Sequence, residues 1–257
     1  MSVLPIQPFS GGREPFLVAE FDDAFVVYKP AGMHSVSAGK RAVSRIQTGA
    51  DASAESLPSL AKWADRNLEK AGDEKMPESG MLSRLDMETS GLVLFARNPA
   101  GRAYFLGLQA SGGILKRYRL RAVASPRELP GSLPLRSGIV PLSGRVIESR
   151  FRSYGPRGAR VACIAPGMED LARRILSPAL HRTEILENSV SGEGIELDVR
   201  IGAGFRHQIR AHMAWIGWPI CGDAVYGGCD ADRLYLEAYN IEYTNNNGEI
   251  RVVDLYR

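Results

Sequence analysis

Two segments of the chain alternate strictly between apolar and polar side chains, which is the pattern of a strand with one buried face. Residues 116–124, KRYRLRAVA, place Tyr118, Leu120 and Ala122 on one side and three arginines on the other. Residues 194–201, GIELDVRI, alternate in the same way. Successive strand side chains point to opposite faces, so both segments predict strands of a sheet covered mainly on one side.

Shorter patterns predict the other elements. Two strands are expected within residues 16–29 around Asp22-Asp23, a buried strand over 92–96, further strands at 145–151, 159–164 and 182–190, and a final hairpin about Asn247-Gly248. Helices are predicted from Ser56 to Leu68, from Asn98-Pro99 to about Ala110, and over RHQIRAHMAWIG, residues 206–217. Strands joined by hairpins predict an α+β protein with a mostly antiparallel sheet and flanking helices.

Length and composition narrow the class of protein. The chain has 257 residues, 44% of them hydrophobic, which suffices for one large domain, and residues 1–257 are predicted to form a single one. No apolar run of 18 residues predicts a membrane span, and the N-terminus lacks the pattern of a secretory signal. Three cysteines at spacings that match no zinc or redox motif predict reduced thiols and a cytoplasmic protein.

Positive charge is concentrated in one part of the chain. Residues 97–160 hold thirteen Lys or Arg against two acidic residues, although the net charge of the whole chain is only +3. Such asymmetry favours a polyanionic partner, and a solvated basic surface remains the alternative.

A segment rich in charge precedes the predicted buried strand. Residues 81–98, MLSRLDMETSGLVLFARN, place Arg84, Asp86 and Glu88 directly before it. The stretch RLDMETSGL, residues 84–92, resembles the active-site segment of the RluA-type RNA pseudouridine synthases. Three further segments resemble family landmarks in the right order, and together the resemblance covers residues 16–243: FDDAFVVYKPAGM, LKRYRLRAV and GAGFRHQIRAHMAWIGWPICGDAVYGG.

The resemblance implies a fold, a reaction and roles for residues. It implies the pseudouridine synthase catalytic fold with a central RNA-binding cleft, and isomerisation of uridine in rRNA or tRNA without cofactor or metal. Asp86 would be the catalytic carboxylate, Arg210 its ionic partner, and Tyr118 the aromatic ring that stacks on the flipped-out uracil. An arginine nearby favours the ionised form of a carboxylate. The candidate substrate contacts are Arg84, Arg206, His207, Gln208 and Ile209.

The sequence departs from the family pattern at two places. Ser83 stands where the family has His before Arg-Leu-Asp, and Phe205 interrupts the usual Gly-Arg-Thr-His-Gln-Ile-Arg, with Arg206 as a possible replacement for the missing arginine. No S4-type RNA-binding domain is expected, and the loop and helix of residues 35–80 are an insertion that could stand in for it. The protein is expected to be a monomer.

Three functions stay open at this point. The first is an RNA-modifying isomerase, and the second a catalytically silent RNA-binding protein that keeps the same cleft. The third is a glycosidase-like hydrolase using Asp86 and Glu88, which would share a face if the segment were extended. His207 and His212 are five residues apart, not the helical spacing of four that a metal pair prefers.

Overall fold

The alternating segments lie in the middle of a ten-stranded sheet. The computed structural model describes residues 13–37, 59–69, 75–125, 142–168 and 175–257. The strands are β1 Phe16–Glu20, β2 Ala24–Lys29, β3 Ser90–Ala96, β4 Ile114–Ala122, β5 Val146–Tyr154, β6 Arg160–Ile164, β7 His181–Ser191, β8 Gly194–Ile201, β9 Leu236–Thr244 and β10 Ile250–Asp254. Their order is β1-β2-β3-β9-β4-β8-β7-β5-β6, with β10 paired to β9.

One pairing differs from all the others between these strands. β3 runs parallel to β9 through Ser90 and Gly91, whereas the remaining named pairs are antiparallel. A Cβ atom at Gly91 would stand 2.2 Å from the carbonyl oxygen of Ala238, so only glycine permits this close approach. The α+β class and the mostly antiparallel sheet predicted from the sequence are confirmed.

Three helices flank the sheet: α1 Leu60–Asn67, α2 Pro99–Ala110 and α3 Gln208–Trp215. Helix α2 begins as predicted, because the side chain of Asn98 accepts a hydrogen bond of 2.7 Å from the amide of Gly101 and Pro99 needs no donor there. Among the described residues, no helix is both long and apolar enough to cross a membrane.

The two faces of the sheet bury separate apolar clusters. Helices α1 and α3 cover one face, called here the cleft face, where Tyr118, Val199 and Phe151 pack. Helix α2 packs Phe105 against Leu94 and other residues of the opposite face. The candidate catalytic groups all approach the cleft face, so the sheet acts as the floor of the site.

The starts of two helices were predicted wrongly. Helix α1 begins at Leu60 with Ser59 as its cap, while Ser56 and Leu57 lie outside the described residues. Helix α3 begins at Gln208 instead of residue 206, because His207 is left-handed, with φ of 55°.

Parts of the predicted insertion and of the basic segment lie outside the residues that the structure describes. Residues 38–58, 70–74 and 126–141 lie outside the described residues, and these ranges hold most of the predicted loops at 35–55 and 125–144. The hairpin about Asn247-Gly248 is confirmed by the antiparallel pairing of Thr244 with Ile250.

The three arginines of β4 lie on the face opposite Tyr118, as the alternation predicts. Each is paired with a carboxylate of a neighbouring strand: Arg117 with Asp198, Arg119 with Glu237, and Arg121 with Glu196. Their charges are therefore compensated within the sheet.

Candidate active site

Asp86 sits in a tight turn at the entrance to β3. The amide of Thr89 donates a hydrogen bond of 3.2 Å to the carbonyl oxygen of Asp86, which closes the turn, and β3 begins one residue later at Ser90. The side chain of Asp86 is 22% exposed and opens into the cleft. Residues 86–88 are thus part of a turn and not of an extended strand, so Asp86 and Glu88 do not share a strand face as the hydrolase hypothesis assumed.

Arg210 joins three carboxylates at one guanidinium. Its Nε and Nη2 atoms donate to the two oxygens of Asp223 at 2.8 and 2.9 Å, a bidentate pair with both side chains buried. Its Nη1 atom lies 3.3 Å from Asp86 and 3.4 Å from Glu88. Asp223 thereby fixes the plane of the guanidinium, and the remaining nitrogen points at the turn that carries Asp86 and Glu88.

The charges of this group favour a permanently cationic Arg210. Burial opposes the charge, but the hydrogen bonds and charge of Asp223, together with Asp86 and Glu88, raise the pKa of Arg210 above its usual value. The amides of Val225 and Tyr226 donate to Asp223 as well, each at 3.1 Å. The amides of its own loop therefore hold the Asp223 carboxylate in position for its contact with Arg210.

His207 is the third group beside Asp86. Its Nε2 atom lies 3.9 Å from the Asp86 carboxylate, and its Nδ1 atom is 3.1 Å from the hydroxyl of Tyr226. Burial, with Arg210 and Arg206 nearby, lowers the pKa of His207 although Asp86 opposes the shift. The imidazole is therefore neutral at neutral pH and can exchange a hydrogen bond with the carboxylate or with a bound ligand.

Tyr118 lines the same cleft from β4. Burial, reinforced by the Asp86 carboxylate, raises the pKa of Tyr118 above its usual value. The side chain is thus a protonated phenol at neutral pH. That state suits a stacking surface and a hydrogen-bonding hydroxyl better than a preformed phenolate base.

A fully buried lysine, Lys29, supports the turn that carries Asp86. The Nζ atom of Lys29 donates to the carbonyl oxygens of Pro30, Met33 and Met87 at 2.8, 2.8 and 3.1 Å. Three acceptors match the three donors of an ammonium group. Burial lowers the pKa of Lys29 to about 7, while Asp86 and Glu88 oppose the shift. Lys29 therefore ties the residue after Asp86 to the Lys-Pro-Ala-Gly corner.

The other predicted site residues divide into two groups. Ile209 and Arg206 line the cleft, and the guanidinium of Arg206 also donates to the carbonyl oxygens of Gly158 and Arg160 at 2.6 and 3.2 Å. Gln208 lines the cleft too, but it is almost completely buried. Its amide is occupied by Phe205, Arg182 and Thr183.

Arg84 does not reach Asp86. Its exposed guanidinium pairs with Glu78 at the rim, with a distance of 3.1 Å from Nε to the carboxylate. Arg210 contacts the Asp86 carboxylate and Arg84 does not, and the predicted contact of Arg84 with the substrate stays a prediction.

The position of Phe205 explains one departure from the family pattern. Its ring stacks on Phe151 with centroids 5.0 Å apart and an interplanar angle of 3°, and His181 packs beside both. Phe205 thus replaces a charged side chain by an aromatic one that packs at the cleft wall.

Three residues of the site were missed by sequence reasoning: Lys29, Asp223 and Tyr226. The only signal for Asp223 was a single acid in the turn CGDAVYGG, and Lys29 looked like a corner residue. Among the described residues, no group of three or more His, Cys, Asp or Glu side chains has the geometry to hold a metal ion.

Comparison with known proteins identifies the family. A family model described as RNA pseudouridylate synthase matches residues 23–215. The chain belongs to this family. The match includes the Asp86 turn, Tyr118 and Arg210, and the RluA-type resemblance noted in the sequence is confirmed.

Individual relatives of this RNA pseudouridylate synthase family member are distant. Ribosomal large subunit pseudouridine synthase D of Neisseria meningitidis is 30% identical over 212 residues, which are 82% of this chain and 46% of the relative. The protein of the same name from Haemophilus ducreyi is 29% identical over 154 residues, 60% of this chain and 39% of that one. The chain spans less than half the length of the curated relatives it matches.

A solved structure shares the fold. Human RNA pseudouridylate synthase domain containing 1 superposes with a TM-score of 0.60 at 18% identity, covering 97% of this chain and 85% of the human one.

Proposed function

We propose that the protein is an RNA pseudouridine synthase that isomerises uridine with Asp86 as its catalytic carboxylate. The observation that carries this proposal is the contact between Asp86 and Arg210. The carboxylate faces an open cleft and lies 3.3 Å from a guanidinium whose orientation is fixed by buried Asp223. A carboxylate in this setting has a fixed cation beside it and is accessible to a ligand in the cleft.

The reaction assigns a task to each group. The bond between C1′ and N1 of the uridine breaks, the uracil turns, C1′ bonds to C5, and the hydrogen of C5 leaves to water. Asp86 acts at the sugar or at the base as nucleophile, or accepts a proton. Tyr118 stacks on the uracil after the nucleotide has left its helix. His207 is placed to contact the base or to orient Asp86.

We infer that the substrate is ribosomal RNA, because several relatives are named for the large ribosomal subunit. Transfer RNA is the alternative substrate. Residues 1–257 acting as one catalytic domain, a monomeric state and a cytoplasmic location are parts of the same proposal.

The test uses RNA labelled with tritium at C5 of uridine. Purified protein should release the label to water, with pseudouridine as the product, and the same release is expected in the presence of EDTA. Asp86→Asn keeps the side-chain volume but removes the charge, and it should abolish release while RNA binding persists. Accumulation of free uracil would instead indicate hydrolysis.

The silent RNA-binding protein is the second candidate function. It predicts RNA binding by the wild-type protein without any release of tritium. Pseudouridine maps of cellular RNA with and without the gene then name the target, and identical maps would favour the silent protein.

A further inference from the structure

Lys116 is a second buried lysine of the cleft, and its surroundings differ from those of Lys29. It lies on β4 two residues before Tyr118, so both side chains project toward the same face, about 7 Å apart along the strand. The residue is only 4% exposed and lines the cleft that contains Asp86. The cleft has a volume of about 610 Å³, which is room for a nucleotide.

The ammonium group of Lys116 lacks a partner within the described part of the chain. No hydrogen bond or ion pair reaches it from residues 13–37, 59–69, 75–125, 142–168 or 175–257. Burial alone lowers the pKa of Lys116 to about 8, with no carboxylate opposing the shift. A buried charge without a counter-charge is costly, so such a group is expected to meet an anion when the cleft is filled.

A second cation, Arg102, lines the same cavity. It belongs to helix α2, and its Nε atom is buried without a hydrogen-bond partner among the described residues. The acidic residues that line the same cavity are already used, because Glu78 pairs with Arg84 and Asp86 with Arg210. Lys116 and Arg102 therefore both line the cavity without a carboxylate partner among the described residues.

We propose that Lys116 and Arg102 form an anion subsite that binds a phosphodiester of the RNA next to the flipped uridine. The proposal rests on the proposed function, since Tyr118, two strand residues from Lys116, is taken as the surface on which the uracil stacks. A spacing of two strand residues is roughly the reach of one nucleotide. A base on Tyr118 would therefore direct its phosphate toward Lys116, away from the carboxylates. RNA is the source of the phosphate because a flipped nucleotide brings it into the cleft with the base.

The first experiment measures RNA affinity against salt for Lys116→Met. The probe is a single-stranded RNA oligonucleotide with one central uridine. The variant should bind about tenfold more weakly, and the slope of log affinity against log salt should fall by about 0.7, which is one phosphate contact on a single strand. Lys116→Arg should retain most of the affinity. The exposed Lys62→Met of α1 is the matched control and should bind as the wild type does.

The second experiment tests the contact itself by pairing protein and RNA changes. A single neutral methylphosphonate linkage beside the uridine should weaken binding of the wild type and of Lys62→Met, but should have little further effect on Lys116→Met. Equal losses in all three proteins would overturn the proposal, as would an unchanged salt slope in Lys116→Met. If that variant does not fold, Arg102→Gln decides by the same slope, because Arg102 lies on a helix surface.

Two other outcomes distinguish the phosphodiester subsite from a small-anion site and from the proposed isomerase activity. Binding of millimolar inorganic phosphate to the wild type, lost in Lys116→Met without any coupling to the RNA linkage, would mean a small-anion site and overturn the RNA assignment. In the other outcome, the effect of the methylphosphonate linkage depends on Lys116, but the wild type forms no pseudouridine. That result would support the phosphate subsite and contradict the proposed isomerase activity.

Discussion

Two aspartates contact the guanidinium of Arg210, and their removal should have very different effects on the stability of the protein. Asp223 is fully buried and makes a bidentate pair, whereas Asp86 is 22% exposed and makes one contact of 3.3 Å. Asp223→Asn leaves a buried guanidinium without its main counter-charge. Breaking a buried pair on one side costs about 3–5 kcal/mol. Asp86→Asn leaves the bidentate pair intact and should cost at most about 1 kcal/mol.

Unfolding in urea and by heat measures both variants. For a chain of this size, 3–5 kcal/mol corresponds to a fall in Tm of roughly 6–20 °C, and 1 kcal/mol to only about 2–4 °C. Asp223→Asn should also lose turnover, since Arg210 is no longer oriented toward the catalytic turn. Asp86→Asn should lose turnover almost without loss of stability.

A partly exposed ion pair provides the control. Glu196→Gln removes the carboxylate that pairs with Arg121 at 2.7 Å, where the arginine side chain is 38% exposed. This variant should change the free energy of unfolding by less than about 1 kcal/mol. If Asp223→Asn were as stable as Glu196→Gln, or if Asp86→Asn were as damaging as Asp223→Asn, the assignment of Asp223 as the main counter-charge would be wrong.

Three further expectations follow from the site and the charged surface. Tyr118→Phe keeps the stacking ring but loses the hydroxyl, so RNA affinity should persist while turnover falls about 100-fold, and equal turnover would exclude a role for the phenol. The folded protein binds the Lys29 proton less tightly than the unfolded chain, so raising the pH from 7 to 9 should stabilise the wild type relative to Lys29→Met by about 2 kcal/mol in total, measured by urea unfolding. A triple change to Gln at Arg150, Arg152 and Arg157 should flatten the salt dependence of RNA binding, and an unchanged slope would mean that these charges are only solvated.

The alternation of apolar and polar residues was sufficient to predict the central strands of the sheet, because each of these strands shows the alternation in its own sequence. Alternation at 116–124 and 194–201 placed Tyr118 and the arginines on opposite faces correctly. Helix starts were less predictable. The left-handed residue His207 and the cap at Ser59 depend on how the chain enters each helix, and a histidine gives no local signal for a left-handed conformation.

The site was only partly accessible from the sequence. Resemblance indicated Asp86 and Arg210 as a pair although 124 residues separate them, and their contact is confirmed. Asp223 and Lys29 were missed for a physical reason. The hydrogen-bond acceptors around Lys29 are main-chain carbonyl oxygens. Every residue has such an oxygen, so no pattern of side chains in the sequence predicts this site. Likewise, the charge of Arg117 suggested RNA contact until its pairing with Asp198 was known.

Helix α3 has a consequence for how substitutions are tolerated. All eight of its residues, from Gln208 to Trp215, are buried, so it lacks the solvent-facing side that an ordinary surface helix has. Saturation mutagenesis across the helix should therefore find eight consecutive positions that tolerate few substitutions. In an ordinary surface helix, such positions would recur only at every third or fourth residue. Only Arg210 in helix α3 contacts Asp86, so most of the constraint on this stretch protects packing and not chemistry. Invariance along such a helix among relatives would thus overstate how many of its residues take part in the reaction.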